Sequence, residues 1–179
     1  MYHEGMRELQ DQHDSRRLAE RLADRFSRTQ FSEEDRAFIE SRPFFFLATA
    51  DAESRPDCSY KGGMPGFVRV TAPSELAFLD YDGNGMFRSL GNLRVNPRVG
   101  LLFIDFERPD RLRVNGTASL RDVGGDLEVR VRAELIFPNC PRYIHRMQLV
   151  EHSVYAPRPG HTPPEPDWKK HFKDVLPRG

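Results

Sequence analysis

Between Arg55 and Asn96 the residues able to do chemistry are spaced so that one anionic ligand could meet several of them. Lys61 closes an alternating segment and is followed by Gly62-Gly63. Further on, the glycine turn Asp82-Gly83-Asn84-Gly85 predicts the opening of a short helix. The unpaired N–H groups of a helix's first turn, with its dipole, favour a phosphate, and glycines let the backbone approach it closely. Counted from Asn84 at about 100° per residue, Arg88 and Asn92 share one face, and Met86, Leu90 and Leu93 cluster on the opposite one. Ser89 lies at the edge of the polar side. A lysine and a helix N-terminus are thus two candidate grips on one anion. The plainer readings are a common loop, a hydrated helix face and a solvated lysine.

The elements that must position these groups are legible from periodicity. Residues 14–29 carry Leu18, Ala19, Leu22 and Phe26 at helical spacing, predicting one amphipathic helix. Ser32 is a candidate N-cap, with Glu33, Glu34 and Asp35 in the first turn of a second helix. That helix runs to about Ser41, turns Phe38 and Ile39 inward, and is stopped by Pro43. Phe44 to Ala50 is apolar on both sides and reads as a strand buried on both faces, as does Val99 to Asp105. On the strand ending at Lys61, alternation puts Asp57, Ser59 and Lys61 on one face and Cys58 and Tyr60 on the other. Further strands are expected over Phe67–Thr71, Glu75–Tyr81, Leu112–Leu120 and Leu127–Phe137, the third with one wet face carrying Arg111, Arg113 and Asn115. A helix is expected at Arg142–Met147. The proline-rich stretch after Val154 predicts an extended tail. Within it, Trp168 needs a surface to dock on: a partner subunit, a cofactor's edge or its own domain.

The expected fold is therefore mainly β with flanking helices, a barrel of about six or seven antiparallel strands. Three segments follow: 1–42 helical, 43–150 the barrel, and 151–179 the tail. Lys+Arg and Asp+Glu both number 27, so no overall attraction to nucleic acid or an anionic membrane arises. No apolar run nears the roughly 20 residues needed to span a bilayer, and the N-terminus lacks the apolar core of a secretory signal. A cytoplasmic location is expected. The two cysteines, Cys58 and Cys140, are too few and too far apart for a metal knuckle or disulfide framework, and read as packed residues.

The segments FFFLATADAESRPDCSYKGGMPGFVRV, FLDYDGNGMFRSLGNL, NPRVGLLFIDFERPDRLRVNG and FPNCPRYIH resemble the pyridoxamine 5′-phosphate oxidase-like family of FMN-binding split barrels. The resemblance spans about Pro43 to His145, and NPRV with its apolar strand followed by RLRVNG is its most specific part. It implies a homodimer with FMN in a groove between the subunits and the phosphate held by basic and hydroxyl side chains. By this resemblance the strand from Asp57 to Lys61 lines the flavin, so Ser59, Tyr60, Lys61 and the adjoining Gly62 are cofactor-binding candidates. Arg88 and Ser89 stand where the oxidases use a basic pair, with Ser89 supplying a hydroxyl in place of a charge. Asn84 and Asn92 add amide donors. Arg111 stands where the oxidases place a glutamine near the ring.

The oxidase's C-terminal substrate motif has no counterpart, so oxidation of pyridoxamine 5′-phosphate itself is not expected. The resemblance instead implies an FMN-dependent oxidoreductase acting on a small molecule. The alternative is a split barrel that binds or senses a flavin, a deazaflavin or haem without turnover. No catalytic residue is nominated. Tyr143 and His145 are the nearest by type, and residues of that kind after a strand are more often structural.

Overall fold

The computed structural model describes residues 1–81 and 83–176. Seven strands, β1 Phe44–Ala50, β2 Pro56–Gly62, β3 Val68–Ala72, β4 Glu75–Leu79, β5 Arg98–Asp105, β6 Asp110–Val123 and β7 Asp126–Pro138, form one sheet in the order β2-β1-β5-β6-β7-β4-β3. All neighbours pair antiparallel. The long β6–β7 ribbon is the spine. One end of β7 pairs with β4, while β6 pairs with β5. The sheet curls until its halves face each other: the Phe45 ring of β1 lies 5.0 Å from Phe78 of β4 and 5.9 Å from Phe67. Phe45, Leu47, Leu76, Phe78, Leu101, Phe103, Val114, Val129, Val131 and Ile136 fill the interior. The curled, incompletely closed sheet is the antiparallel barrel expected from the strand pattern, in the split form that the family resemblance implied.

Curling needs a bend in the spine, and Gly116 provides it. The β6–β7 register shifts between Asn115 and Gly116, and a Cβ built on Gly116 would stand 2.0 Å from the Arg132 carbonyl oxygen. Only a residue without a side chain admits that approach.

Four helices flank the sheet: α1 Glu4–Gln12, α2 Arg16–Phe26, α3 Glu33–Glu40 and α4 Arg88–Val95. α3 carries the expected cap as a full box, with Asp35 N–H donating to Ser32 Oγ (3.2 Å) and Ser32 N–H donating to Asp35 Oδ2 (2.9 Å). Its inward side places Ile39 wholly in the core and packs Phe38 against it.

Several expectations are corrected. The helix expected over 14–29 is α2 alone, and α1 before it was not foreseen. α1 carries only Met6 and Leu9 as large apolar side chains, too few to show an apolar stripe. It is held instead by the His3 cap on Met6 N–H, by Arg7 reaching Gln10 and Glu20, and by Tyr2 donating to Ala19 O. The glycine turn does not open α4, which begins at Arg88 after Phe87 in the left-handed region at φ +49°. Met86 therefore lies outside the helix and is exposed, while Leu90 and Leu93 are buried as expected. Asp82 lies outside the described residues.

β1 and β5 each bury one face within this chain, not two. Phe45, Leu47 and Thr49 point inward on β1, while Phe44 and Phe46 are half-covered and Ala48 is exposed. The helix expected at Arg142–Met147 does not form: Tyr143 sits at φ +69°, and Met147 N–H donates to Phe106 O at the β5–β6 turn. Past Val154 the chain is extended, with one 3₁₀ turn at Asp167–His171.

A buried ion pair pins the start of β1 to the end of β5. Arg42 and Asp105 meet at 2.6 Å with side chains 11% and 8% exposed, the guanidinium lies 4.9 Å from the Phe38 ring centre, and Asp105 also accepts from the N–H groups of Glu107 and Arg108. Burial pushes the Asp105 carboxyl up, but the Arg108 N–H, the Arg42 guanidinium and the Glu107 N–H outweigh it and hold it below its ordinary value.

Two outcomes are expected. Gly116→Ala should cost about 1–3 kcal/mol and lower the thermal midpoint by several degrees; an unchanged midpoint would mean that the bulge is not required. A depressed folded-state pKa gives stability that is present above the unfolded value of about 4 and is lost as pH falls through the folded one. Asp105→Asn should therefore lower the melting temperature at pH 7 and flatten the acid limb below about pH 4. A limb as steep as that of the parent protein would remove Asp105 as its source.

Candidate functional site

The site is built on the sheet's open edge. β2 has a neighbour on one side only, and its alternation turns Asp57, Ser59 and Lys61 toward α4 and the end of β4. Three contacts follow in register. Asp57 accepts from Arg88 at 3.0 Å, Ser59 Oγ and Ser89 Oγ share a hydrogen bond at 3.0 Å, and Lys61 Nζ donates to Asp80 at 2.9 Å. Side chains two apart on a strand recur every 6–7 Å or so, so the three rungs line a strip along β2 and not a single point.

Above this strip opens a cleft of about 1390 Å³. Its polar wall contains Asp57, Ser59, Lys61, Asp80, Arg88 and Ser89; its apolar wall contains Met86, Phe87, Trp168, Phe172 and Val175. At the polar end stands the N-terminus of α4, whose N-cap residue Phe87 has no side-chain acceptor to cap it. The first-turn N–H groups of a helix have no partner within it, so this end is electropositive and offers donors. Two hydroxyls, an arginine and a lysine converge beside it. Burial pushes the Tyr81 phenol in the cleft up. The arrangement suits a phosphate at one end and a flat apolar body along the rest.

Of the residues singled out in the sequence, Ser59, Lys61, Asn84, Arg88 and Ser89 line this cleft together. Asn84 uses its side-chain oxygen on Met86 N–H at 3.0 Å, shaping the loop before α4. The others lie elsewhere in the single chain. Tyr60 faces the outside of the sheet, 62% exposed and stacked on Phe44 at 5.3 Å. Gly62 follows Lys61 at the strand's end, where a Cβ would meet the Tyr60 ring at 2.7 Å. Asn92 donates to Thr49 Oγ1 at 3.0 Å and so ties α4 to β1. Arg111 is on the outer face of β6, its Nε buried without a partner among the described residues.

Sequence reasoning missed the acidic partners and most of the apolar wall. The partnership of Asp57 with Arg88 was available from its place two residues before Ser59. Nothing local marks Asp80, Phe87 or Phe172.

The rung at Ser89 gives a direct test. Its side chain is buried, and removing one partner of a buried hydrogen bond costs about 1–3 kcal/mol. Ser89→Ala should lower the melting temperature by a few degrees, and Ser59→Ala in that background should add little, because the two share one bond. Fully additive losses would show that the hydroxyls act separately.

No curated protein matches the sequence. Residues 31–153 match the family described as pyridoxamine 5′-phosphate oxidase, a span that includes the whole sheet and α4. Among solved structures the chain is similar to a candidate pyridoxamine 5′-phosphate oxidase from Lactobacillus delbrueckii, with 21% identity, 62% of this chain and 95% of that one covered, and a TM-score of 0.50. It is also similar to HupZ from Group A Streptococcus (20% identity, 60% and 93% covered, TM-score 0.49). A third similar structure is the heme-storage protein HutZ from Vibrio cholerae (21% identity, 61% and 95% covered, TM-score 0.45). At these identities the structural likeness speaks for the fold alone. With the family match covering well over half of its length, the chain belongs to the pyridoxamine 5′-phosphate oxidase family.

Proposed function

We propose that the cleft binds FMN and that the protein is an FMN-dependent oxidoreductase acting on a small molecule. The observation that carries this reading is the line of Arg88, Ser89, Ser59 and Lys61 that runs along β2 from the N-terminus of α4 to the end of β4, beside a cleft with an apolar wall. Bound FMN would supply the electron-transfer chemistry. The chain's own residues would bind and orient it: Arg88, Ser89 and Ser59 at the phosphate, and Lys61, already aimed by Asp80, along the strip. Family membership supports the same reading.

A homodimer is part of the proposal. Phe44, Phe46, Tyr60 and Phe106 form a ring cluster on the outer face of the sheet, with centres 5.3–6.0 Å apart, and the Tyr60 ring stands open to solvent. A second copy meeting that face would cover it and would bring Tyr60 and Arg111 to an interface. We place the protein in the cytoplasm on the sequence features alone; among the described residues no helix is long and apolar enough to cross a membrane.

Titration of FMN into the protein, followed by flavin fluorescence, tests the grip. Charge-assisted hydrogen bonds contribute about 1.5–3 kcal/mol, so Lys61→Ala and Arg88→Ala should each weaken FMN binding by about tenfold or more. Asp57→Asn should strengthen it, because Arg88 then has no carboxylate holding it. Unchanged affinity in both cation variants would sink the proposed contacts. Catalytic bleaching of the bound flavin by NAD(P)H or another reductant would establish turnover; tight binding without bleaching across a panel of donors and acceptors would favour the storage or sensing alternative.

A further inference from the structure

The apolar wall of the cleft comes from two places. Met86 and Phe87 belong to the loop before α4. Trp168, Phe172, Val175 and Leu176 belong to the C-terminal tail, far away in sequence. The loop side is unusual in two respects. Phe87 adopts φ +49° and yet is 59% exposed, so a bulky residue sits in a backbone region it rarely visits without the reward of burial. Met86 beside it is 63% exposed. An apolar lip held open in this way fits a surface that meets a ligand.

The tail side has few backbone bonds to the body among the described residues. Ala156 is buried, and the next ten residues, 157–166, are mostly exposed and contain Pro157, Pro159, Pro163, Pro164 and Pro166. Such a run is a semi-rigid spacer. It delivers the 3₁₀ turn with Trp168 to the cleft. Among the described residues the backbone hydrogen bonds of 157–176 are local: His161 to Arg158, Lys169 to Pro166, Phe172 to Lys169 and Val175 to Phe172. No strand pairing fixes this segment to the sheet. Its aromatics reach the cleft but remain partly open, Trp168 38% and Phe172 52% exposed. Segments with few backbone bonds to the body and half-covered side chains come from the low-stability end of a fold and open readily.

We propose that residues 157–176 form a hinged strap that controls ligand exchange at the cleft. Trp168 and Phe172 are its latch, and the flat ring system of a phosphorylated ligand lies between that latch and the Met86-Phe87 lip. This rests on the FMN reading and adds to it. The polar end of the site sets how well the phosphate is held, while the strap sets how fast the whole ligand enters and leaves.

The two ends can be separated kinetically in the full-length protein by stopped-flow measurement of flavin uptake and release, using FMN and riboflavin as probes. The variant Trp168→Ala with Phe172→Ala should release both probes at least about tenfold faster and also take both up faster, because a gate slows passage in each direction. Arg88→Ala should speed release of FMN and leave riboflavin unchanged. A melting curve matching that of the parent shows that the double variant is folded, and Phe172→Ala alone serves if it is not.

Release and uptake at parental rates would overturn the strap and leave the FMN site standing. Faster release with unchanged uptake would make the two rings simple ligand contacts and would also overturn the gate. A dependence of the release rate on protein concentration would place the latch on a second copy's cleft, against the intramolecular strap. If the parent protein binds neither probe, the FMN reading falls and the strap falls with it.

Discussion

The seam along β2 is the constraint on which the rest of the structure depends. A sheet that curls without closing leaves an edge strand with unpaired backbone groups and a gap beside it. Here the gap is bridged by side chains: Asp57 to Arg88, Ser59 to Ser89 and Lys61 to Asp80. These rungs tie the edge to a helix N-terminus and to the far half of the barrel. The halves pack on each other through the core rings of Phe45, Phe67 and Phe78, and the rungs line the cleft that opens beside that contact. The polar alternation of β2 therefore gives the cleft its polar wall.

That alternation was readable from the sequence, and so were β6 and β7, because a strand with one wet face announces its period. The same logic misled at β1 and β5. Apolar residues on both faces imply that both are covered, yet within this chain Phe44, Phe46 and Ala48 look outward. Apolar pattern alone does not say whether the second face is covered by this chain or by another body. The outer ring cluster is the physical remainder of that difference, and the second subunit proposed above would cover it.

The failures at the helices have another cause. α1 was invisible because charge pairs and caps, not an apolar face, hold it. α4 was placed too early because a glycine-rich loop running into a helix N-terminus is a known anion-binding arrangement, whereas here a phenylalanine in the left-handed region intervenes. Nothing in the local sequence distinguishes Phe87 as that residue; the reason lies in the tertiary demand that Arg88 and Ser89 face β2 at the helix's first turn. Trp168 is the opposite case. A lone tryptophan in a polar tail signalled that it must dock, but which surface receives it depends on where the proline spacer aims, and spacing along the chain does not encode that direction.

The charge pattern of the cleft bears on what kind of grip this is. Lys61 and Arg88 each have a carboxylate partner, so the phosphate of the proposed ligand would compete with Asp80 and Asp57 for them. Such pairing lowers affinity but fixes the direction of each cation in advance, and a pre-aimed donor loses less conformational freedom when the ligand arrives. The Arg88 side chain is 66% exposed against 22% for Lys61. Water screens the Arg88–Asp57 pair more, so Arg88 is the cation that can turn to a ligand at small cost, while Lys61 stays where Asp80 holds it. In the Ser59–Ser89 pair one hydroxyl donates to the other, and the one that accepts keeps its own proton free for a further acceptor. The site thus divides its labour between a movable charge, a fixed charge and a neutral pair, which suits reversible binding of a phosphate better than permanent retention.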